Sequence, residues 1–215
     1  IAPVDQAISI TFFHWGFHAW AIYVMVGLSL AYFSFRKGLP LTIRSCFYPL
    51  LGNKIYGRWG HCIDIFAVVG TMFGVATSLG LGAMQINSGL NFIGDCPETK
   101  LTQIALIALI TLFATVSVVL GLKKGVSRLS YFNVIMSVIL LAFVFILGPT
   151  LFIVNTFGEG LKNYLSNIIY FSYWSEWVAT TEWKANWTIF YWGWWIAWAP
   201  FVGLFIARIS KGRTI

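Results

Sequence analysis

WTIFYWGWWIAWAPFVGLFIA, residues 187–207, runs for 21 residues without an Asp, Glu, Lys, Arg or His. A helix of that length spans roughly the 30 Å of a bilayer's hydrocarbon core, and nothing along it holds it in water. Lipid is the solvent that suits it. Working outward from this run, four more apolar stretches of spanning length precede it, so the expected spans are 8–35, 62–93, 102–122, 129–156 and 186–208. The fold class that follows is all-α: a polytopic transmembrane helix bundle.

Composition agrees. Of 215 residues, 59% are hydrophobic and 10% charged, where a soluble domain carries about a quarter charged residues, and the mean hydropathy is +0.79. The first apolar run lacks the basic leader and small-residue cleavage site of a signal peptide and reads as a spanning helix. Cys46, Cys62 and Cys96 are too few and too scattered for a disulfide framework or a metal motif. A net charge of +7 could suggest nucleic acid, but the basic residues cluster in short loops between apolar segments. That is a topology signal, and it leaves nucleic-acid binding without support.

Arg36, Lys37, Arg44, Lys54 and Arg58 fill the first loop, Lys123, Lys124 and Arg128 the third, and Arg208, Lys211 and Arg213 the tail. The opposite side holds Lys100, Lys162 and Lys184 with Asp5, Asp95, Glu98, Glu159, Glu176 and Glu182. By the positive-inside rule the N-terminal end lies outside and the C-terminal end inside. Between about 159 and 183, Tyr164, Ile168, Phe171, Trp174 and Trp177 recur at helical spacing among Asn, Ser and Glu. An amphipathic helix over about 160–180 on the outer membrane face is expected, either as an aromatic interfacial anchor or as a gating element.

Gly70, Gly74, Ser78 and Gly82 recur every four residues along the second span. Such a face lets two membrane helices approach closely; alternatively, Thr71, Thr77 and Ser78 line an ion path. The aromatic residues carry more. Tyr173, Trp174, Trp177, Trp183 and Trp187 fit an interfacial belt, whereas Trp195 and Trp198 lie roughly 14–18 Å below the outer end of the last span. Trp20 and Tyr23 fall near the middle of the first span, with Trp15 above them.

Tyr191, Trp194, Trp195 and Trp198 share a sector of about 100° on the last helix. Indoles at that depth either pack or face lipid, or they offer π faces to a quaternary ammonium, which has no N–H to satisfy. Pro200 deprives the Ile196 carbonyl of its helical partner. His14 and His18, four apart, could bind a metal or haem, but no partner histidine stands on another span. Asp64, near His61 and Arg58, reads as a paired interface residue.

Two stretches, FFHWGFHAWAIYVMVGLSLAYFSFRKGLPLTIRS at 12–45 and WTIFYWGWWIAWAPFVGLFIARISKGRTI at 187–215, resemble signature segments of the betaine/choline/carnitine transporter (BCCT) family. DIFAVVGTMFGVATSLGLGAMQIN at 64–87 is similar to that family's next helix. The resemblance implies a partial transporter domain over residues 1–215, similar to spans four to eight of twelve. Those spans belong to an inverted-repeat, LeuT-like secondary transporter core. It also implies that Trp15, Trp20, Tyr23 and Trp195 form an ammonium-binding box, with Trp198 a further substrate contact. For a coupling sodium ion it implies Thr71 and Phe201, although Val75 stands where a second hydroxyl is expected one turn on. No other cofactor, no bound metal and no covalent chemistry are implied.

The expectation is thus a multi-pass protein of the plasma membrane (bacterial inner membrane), in contact with membrane lipid. Its cargo is a small trimethylammonium osmolyte such as glycine betaine, choline or carnitine, moved by symport or exchange. As in relatives, the full-length protein is expected to be a homotrimer. Two alternatives stay open: a haem or metal redox subunit built on His14 and His18, and a structural membrane protein whose deep tryptophans face lipid.

Overall fold

The computed structural model describes residues 3–121, 125–173 and 181–213. Lys123, Lys124, Trp174, Glu176 and Trp177 lie outside the described residues. Among the described residues ten α-helices follow one another: α1 Pro3–Trp15, α2 Phe17–Ala31, α3 Tyr48–Leu51, α4 Arg58–Gly94, α5 Lys100–Val119, α6 Ser127–Leu147, α7 Thr150–Ser166, α8 Ile168–Ser172, α9 Thr181–Lys184 and α10 Phe190–Ile209. Tighter or wider helical turns flank α2, α3 and α10, and no strand occurs among the described residues. Among the described residues five helices are long and apolar enough to cross a membrane: Val4–Arg36, Arg58–Gly94, Lys100–Val119, Ser127–Leu147 and Glu182–Ile209. Along them large apolar side chains such as Phe73, Phe113, Leu141 and Phe205 point outward, as lipid-spanning helices require. The chain is a multi-pass membrane protein with an all-α fold.

Two compact units make up the chain, residues 1–76 with 158–215, and residues 77–157. In the second, Asn87 and Asn91 donate side-chain hydrogen bonds to the carbonyls of Pro97 and Cys96, at 3.2 and 2.9 Å, and so hold the turn between α4 and α5. Thr99 caps α5, its hydroxyl accepting from the Thr102 N–H at 3.2 Å. The expected span 129–156 is not one helix: α6 stops at Leu147, and Gly148 is extended at φ −84°, ψ −177°. Pro149 explains this, since the residue before a proline is driven out of the helical region. Apolar character continues through the break, so hydropathy alone reads across it. The helix resumes as α7, which reaches Ser166, and α8 carries the chain to Ser172.

The first unit is organised around α2 and α10, which form its most extensive helix pair among the described residues. Their buried faces are built on a four-residue repeat: Ala19, Tyr23 and Gly27 on α2 meet Trp195, Ala199, Gly203 and Ala207 on α10. At the closest approach a Cβ on Gly203 would lie 2.6 Å from Val26 Cγ1, and one on Gly27 3.0 Å from Ile206 Cγ2. Glycine at both positions is what lets the backbones come this near. Of the glycines on α4, Gly74 lies under the Trp198 ring, a Cβ there falling 3.0 Å from Trp198 Cδ1.

Two polar clamps complete this unit. The loop 37–57 is tied to α4 by Arg44, whose main-chain N–H donates to Asp64 Oδ1 at 3.0 Å and whose Nε donates to Oδ2 at 2.6 Å. Asp64 is thus paired, but with Arg44 rather than with the sequence-near Arg58 or His61. At the other end, α7 docks on α1: Asn163 donates to the buried Ser9 hydroxyl at 2.9 Å, and Gly160 lets Ile8 against the helix backbone.

Candidate functional site

The first span is bent. Gly16, at φ −93°, ψ −139°, is outside the helical region and separates α1 from α2. A side chain there would run into the Phe12 carbonyl, so glycine is required for space. On either side of the bend, Trp15 of α1 and Tyr23 of α2 meet Trp195 of α10, while Trp20 stands against Tyr23.

Trp195 is the centre of the resulting ring cluster. Its indole meets Trp15 edge to face, with centroids 4.8 Å apart and planes at 76°, and meets Tyr23 in the same way at 6.1 Å and 77°. Trp20 stands perpendicular to Tyr23 at 5.8 Å. These edge-to-face pairings are favourable arrangements of ring quadrupoles. Trp195 and Tyr23 are 8% and 7% exposed, while Trp15 and Trp20 are 50% and 55% exposed, so the outer two rings keep uncovered faces. Trp195 sits near the middle of the 28-residue apolar helix Glu182–Ile209. The four rings expected to form a box are therefore contiguous, and two of them belong to the packed core of the α2–α10 pair.

Trp198, expected in the same stripe, is set on Gly74 and meets Phe201 at 5.7 Å and 71°. It packs against the ring cluster and touches Phe201, one of the two residues expected to hold an ion. Thr71, three residues before Gly74 on α4, donates its hydroxyl hydrogen to the Ala67 carbonyl at 2.9 Å, a bond that does not use its oxygen lone pairs.

The histidines are committed elsewhere. His14 Nε2 lies 3.1 Å from the Thr188 hydroxyl, while His18 has Nδ1 2.7 Å from the Tyr164 hydroxyl and Nε2 2.9 Å from the Ser172 hydroxyl. With both ring nitrogens of His18 engaged, the two do not present a shared pair of metal donors. They pin the bent first span to the helical turn Ala185–Ile189 that leads into α10 on one side and to α7 and α8 on the other. Tyr164, 1% exposed, is stacked on Phe12 at 5.8 Å.

Three features carry no obvious mark in the sequence. The Gly16 bend looks like a tolerated glycine in an apolar run. The role of Tyr164 depends on a partner 146 residues away. The Trp195 Nε1–H donates to the main-chain carbonyl of His14 at 2.8 Å, and an acceptor on the backbone has no signature of its own. The small-residue repeat at Ala199, Gly203 and Ala207 was detectable from its spacing.

Comparison with known proteins places these residues in context. The family model described as BCCT, betaine/carnitine/choline family transporter, matches residues 2–215. The chain is 48% identical over its whole length to a glycine betaine transporter of Acinetobacter baylyi and 49% identical to a probable glycine betaine transporter of Desulfitobacterium hafniense. It is 52% identical over 205 residues, 95% of the chain, to a glycine betaine/proline/choline transporter of Vibrio parahaemolyticus. It spans 33%, 43% and 37% of the lengths of these three relatives. With its apolar helices and its bent first span carrying Trp15, Trp20 and Tyr23 against Trp195, the chain belongs to the betaine/carnitine/choline transporter family.

Proposed function

We propose that this chain supplies the ammonium cage of a transporter for a small trimethylammonium compound of the glycine betaine, choline or carnitine kind. Trp15, Trp20, Tyr23 and Trp195 hold the cation, and Trp198 contacts the rest of the substrate. The observation that supports this most directly is the joint contact of Trp195 with Trp15 and Tyr23 midway along its helix. A trimethylammonium group cannot donate a hydrogen bond, so π faces in a low-dielectric site suit it, at about 2 kcal/mol or more per desolvated contact. Movement of the cargo by symport or exchange is part of the same reading, with Thr71 and Phe201 contributing to a sodium site. The basic loop 37–57 and the tail 208–213 face the cytoplasm, in line with their positive charge.

The test is calorimetric. The chain is reconstituted in lipid nanodiscs and titrated with choline and with 3,3-dimethyl-1-butanol, its uncharged carbon isostere. Choline is expected to bind about tenfold or more tightly, because only it gains the cation–π contribution. Equal binding of the two would reduce the cage to an apolar pocket, and binding of neither would remove it.

A further inference from the structure

We infer that Gly16 and the main-chain carbonyl of His14 act together as the positioning device that fixes the orientation of the Trp195 indole. This rests on the cage reading above.

The argument starts from what stacking leaves undetermined. Trp194 lies parallel to Trp195, with centroids 5.1 Å apart and planes 5° apart, and Tyr191 is inclined to it by 28° at 6.1 Å. Parallel rings fix the plane of the indole, but they do not choose between the two rotamers related by a flip of about 180° about the Cβ–Cγ bond, which exchange the edges of the ring. A single directional bond makes that choice. The Trp195 Nε1–H, buried, donates to the His14 carbonyl at 2.8 Å, and so fixes which edge of the ring points at the first span.

That carbonyl is available for a reason written in the backbone. In an unbroken helix His14 would accept from the N–H of His18, four residues on. Gly16, at φ −93°, ψ −139°, interrupts the ladder between them. A carbonyl freed at membrane depth needs a donor, and a buried indole N–H needs an acceptor; each satisfies the other. Because Trp15 follows His14 directly, the same bend that frees the acceptor also places the Trp15 ring 4.8 Å from Trp195. Two walls of the cage are therefore held in register by one hydrogen bond, and neither Gly16 nor His14 touches the ammonium itself.

The experiment replaces the N–H and keeps the ring. The benzothiophene isostere of tryptophan is installed at position 195 and compared with Trp195→Leu and Gly16→Ala, all in nanodiscs, with choline as the titrant. Loss of one buried hydrogen bond is expected to weaken choline binding about tenfold in the isostere, while Trp195→Leu abolishes it. A second readout needs no ligand, and its wild-type arm does not depend on Gly16→Ala folding well. In tryptophan-labelled wild-type chain the Trp195 indole N–H is expected to resonate downfield and to exchange slowly with water, whereas in Gly16→Ala both features vanish.

If the isostere binds choline as tightly as wild type while Trp195→Leu is dead, the cage stands and the positioning role falls. If Trp195→Leu binds like wild type, the cage itself is wrong. A rapidly exchanging Trp195 indole N–H in wild type overturns the positioning role whatever the ligand does.

Discussion

Replacing Gly203 with alanine puts a methyl group where the α2–α10 pair has no room for one. Its Cβ would lie 2.6 Å from Val26 Cγ1, 3.0 Å from Val26 Cβ and 3.1 Å from the Gly27 nitrogen. Carbon atoms rest at about 3.5–4.0 Å, and the third neighbour is backbone, so a rotamer change cannot relieve the crowding. The helices must part by about 1 Å. Overpacking of this kind costs about 1–3 kcal/mol, which for a chain of this size lowers the melting temperature by roughly 2–4 °C per kcal/mol.

The neighbouring glycines grade the effect. Gly27→Ala meets Ile206 Cγ2 at 3.0 Å and the Gly203 carbonyl at 3.3 Å, a milder crowding, whereas a Cβ on Gly193 meets nothing within 4 Å. Heat unfolding in nanodiscs, followed by tryptophan emission, is expected to rank stability as Gly203→Ala below Gly27→Ala, with Gly193→Ala at or above wild type because alanine favours the helix. Equal melting temperatures for Gly203→Ala and Gly193→Ala would refute the close-packed repeat.

Further outcomes are expected at three sites. Asp64→Asn keeps an acceptor for the Arg44 main-chain N–H but loses the ion pair to Nε. It should cost ~1 kcal/mol or less and speed trypsin cleavage after Arg44, which unchanged cleavage would contradict. Burial pushes the Cys46 thiol up from 9.0 to about 11; because the charged thiolate is the form disfavoured, the initial rate of iodoacetamide alkylation at Cys46 in a Cys62→Ala, Cys96→Ala chain, read by peptide mass spectrometry, should keep rising until about pH 11. Between about pH 9 and 11 the folded chain retains a proton that the unfolded chain has lost, so stability should fall with rising pH across that window. Tyr164→Phe removes the 2.7 Å bond to His18 Nδ1 while keeping the stacked ring. It leaves a partly buried nitrogen unpaired at ~1–3 kcal/mol, seen as a lower melting temperature than that of Ser172→Ala, whose bond to His18 is more exposed.

The parts of the fold legible in the sequence were those set by solvent. Runs such as 187–207 can only be helices in lipid; helical rise gave the expected depths of Trp20, Tyr23 and Trp195, while their grouping with Trp15 as a box came from the family resemblance. What stayed hidden was set by backbone geometry. The break at Gly148 lies inside an apolar stretch, so only the proline that follows betrays it. The bond from Trp195 to His14 joins a side chain to a main-chain carbonyl 181 residues away, and sequence identifies neither the carbonyl nor the bend that frees it. That Asp64 is paired was legible, but its partner Arg44, 20 residues off, is brought in by the folded loop rather than by helical spacing. Gly74 was legible as a packing position, but that its occupant is the Trp198 ring was not.

The central claim is that Trp15, Trp20, Tyr23 and Trp195 hold a quaternary ammonium. It is tested most directly by tryptophan fluorescence of the reconstituted chain during titration with glycine betaine, choline and carnitine, alongside Trp195→Leu and Trp20→Leu. A saturable change with at least one of these ligands, lost in both variants, is the predicted result. A response that survives in both variants, or no response to any of the three ligands, would contradict it.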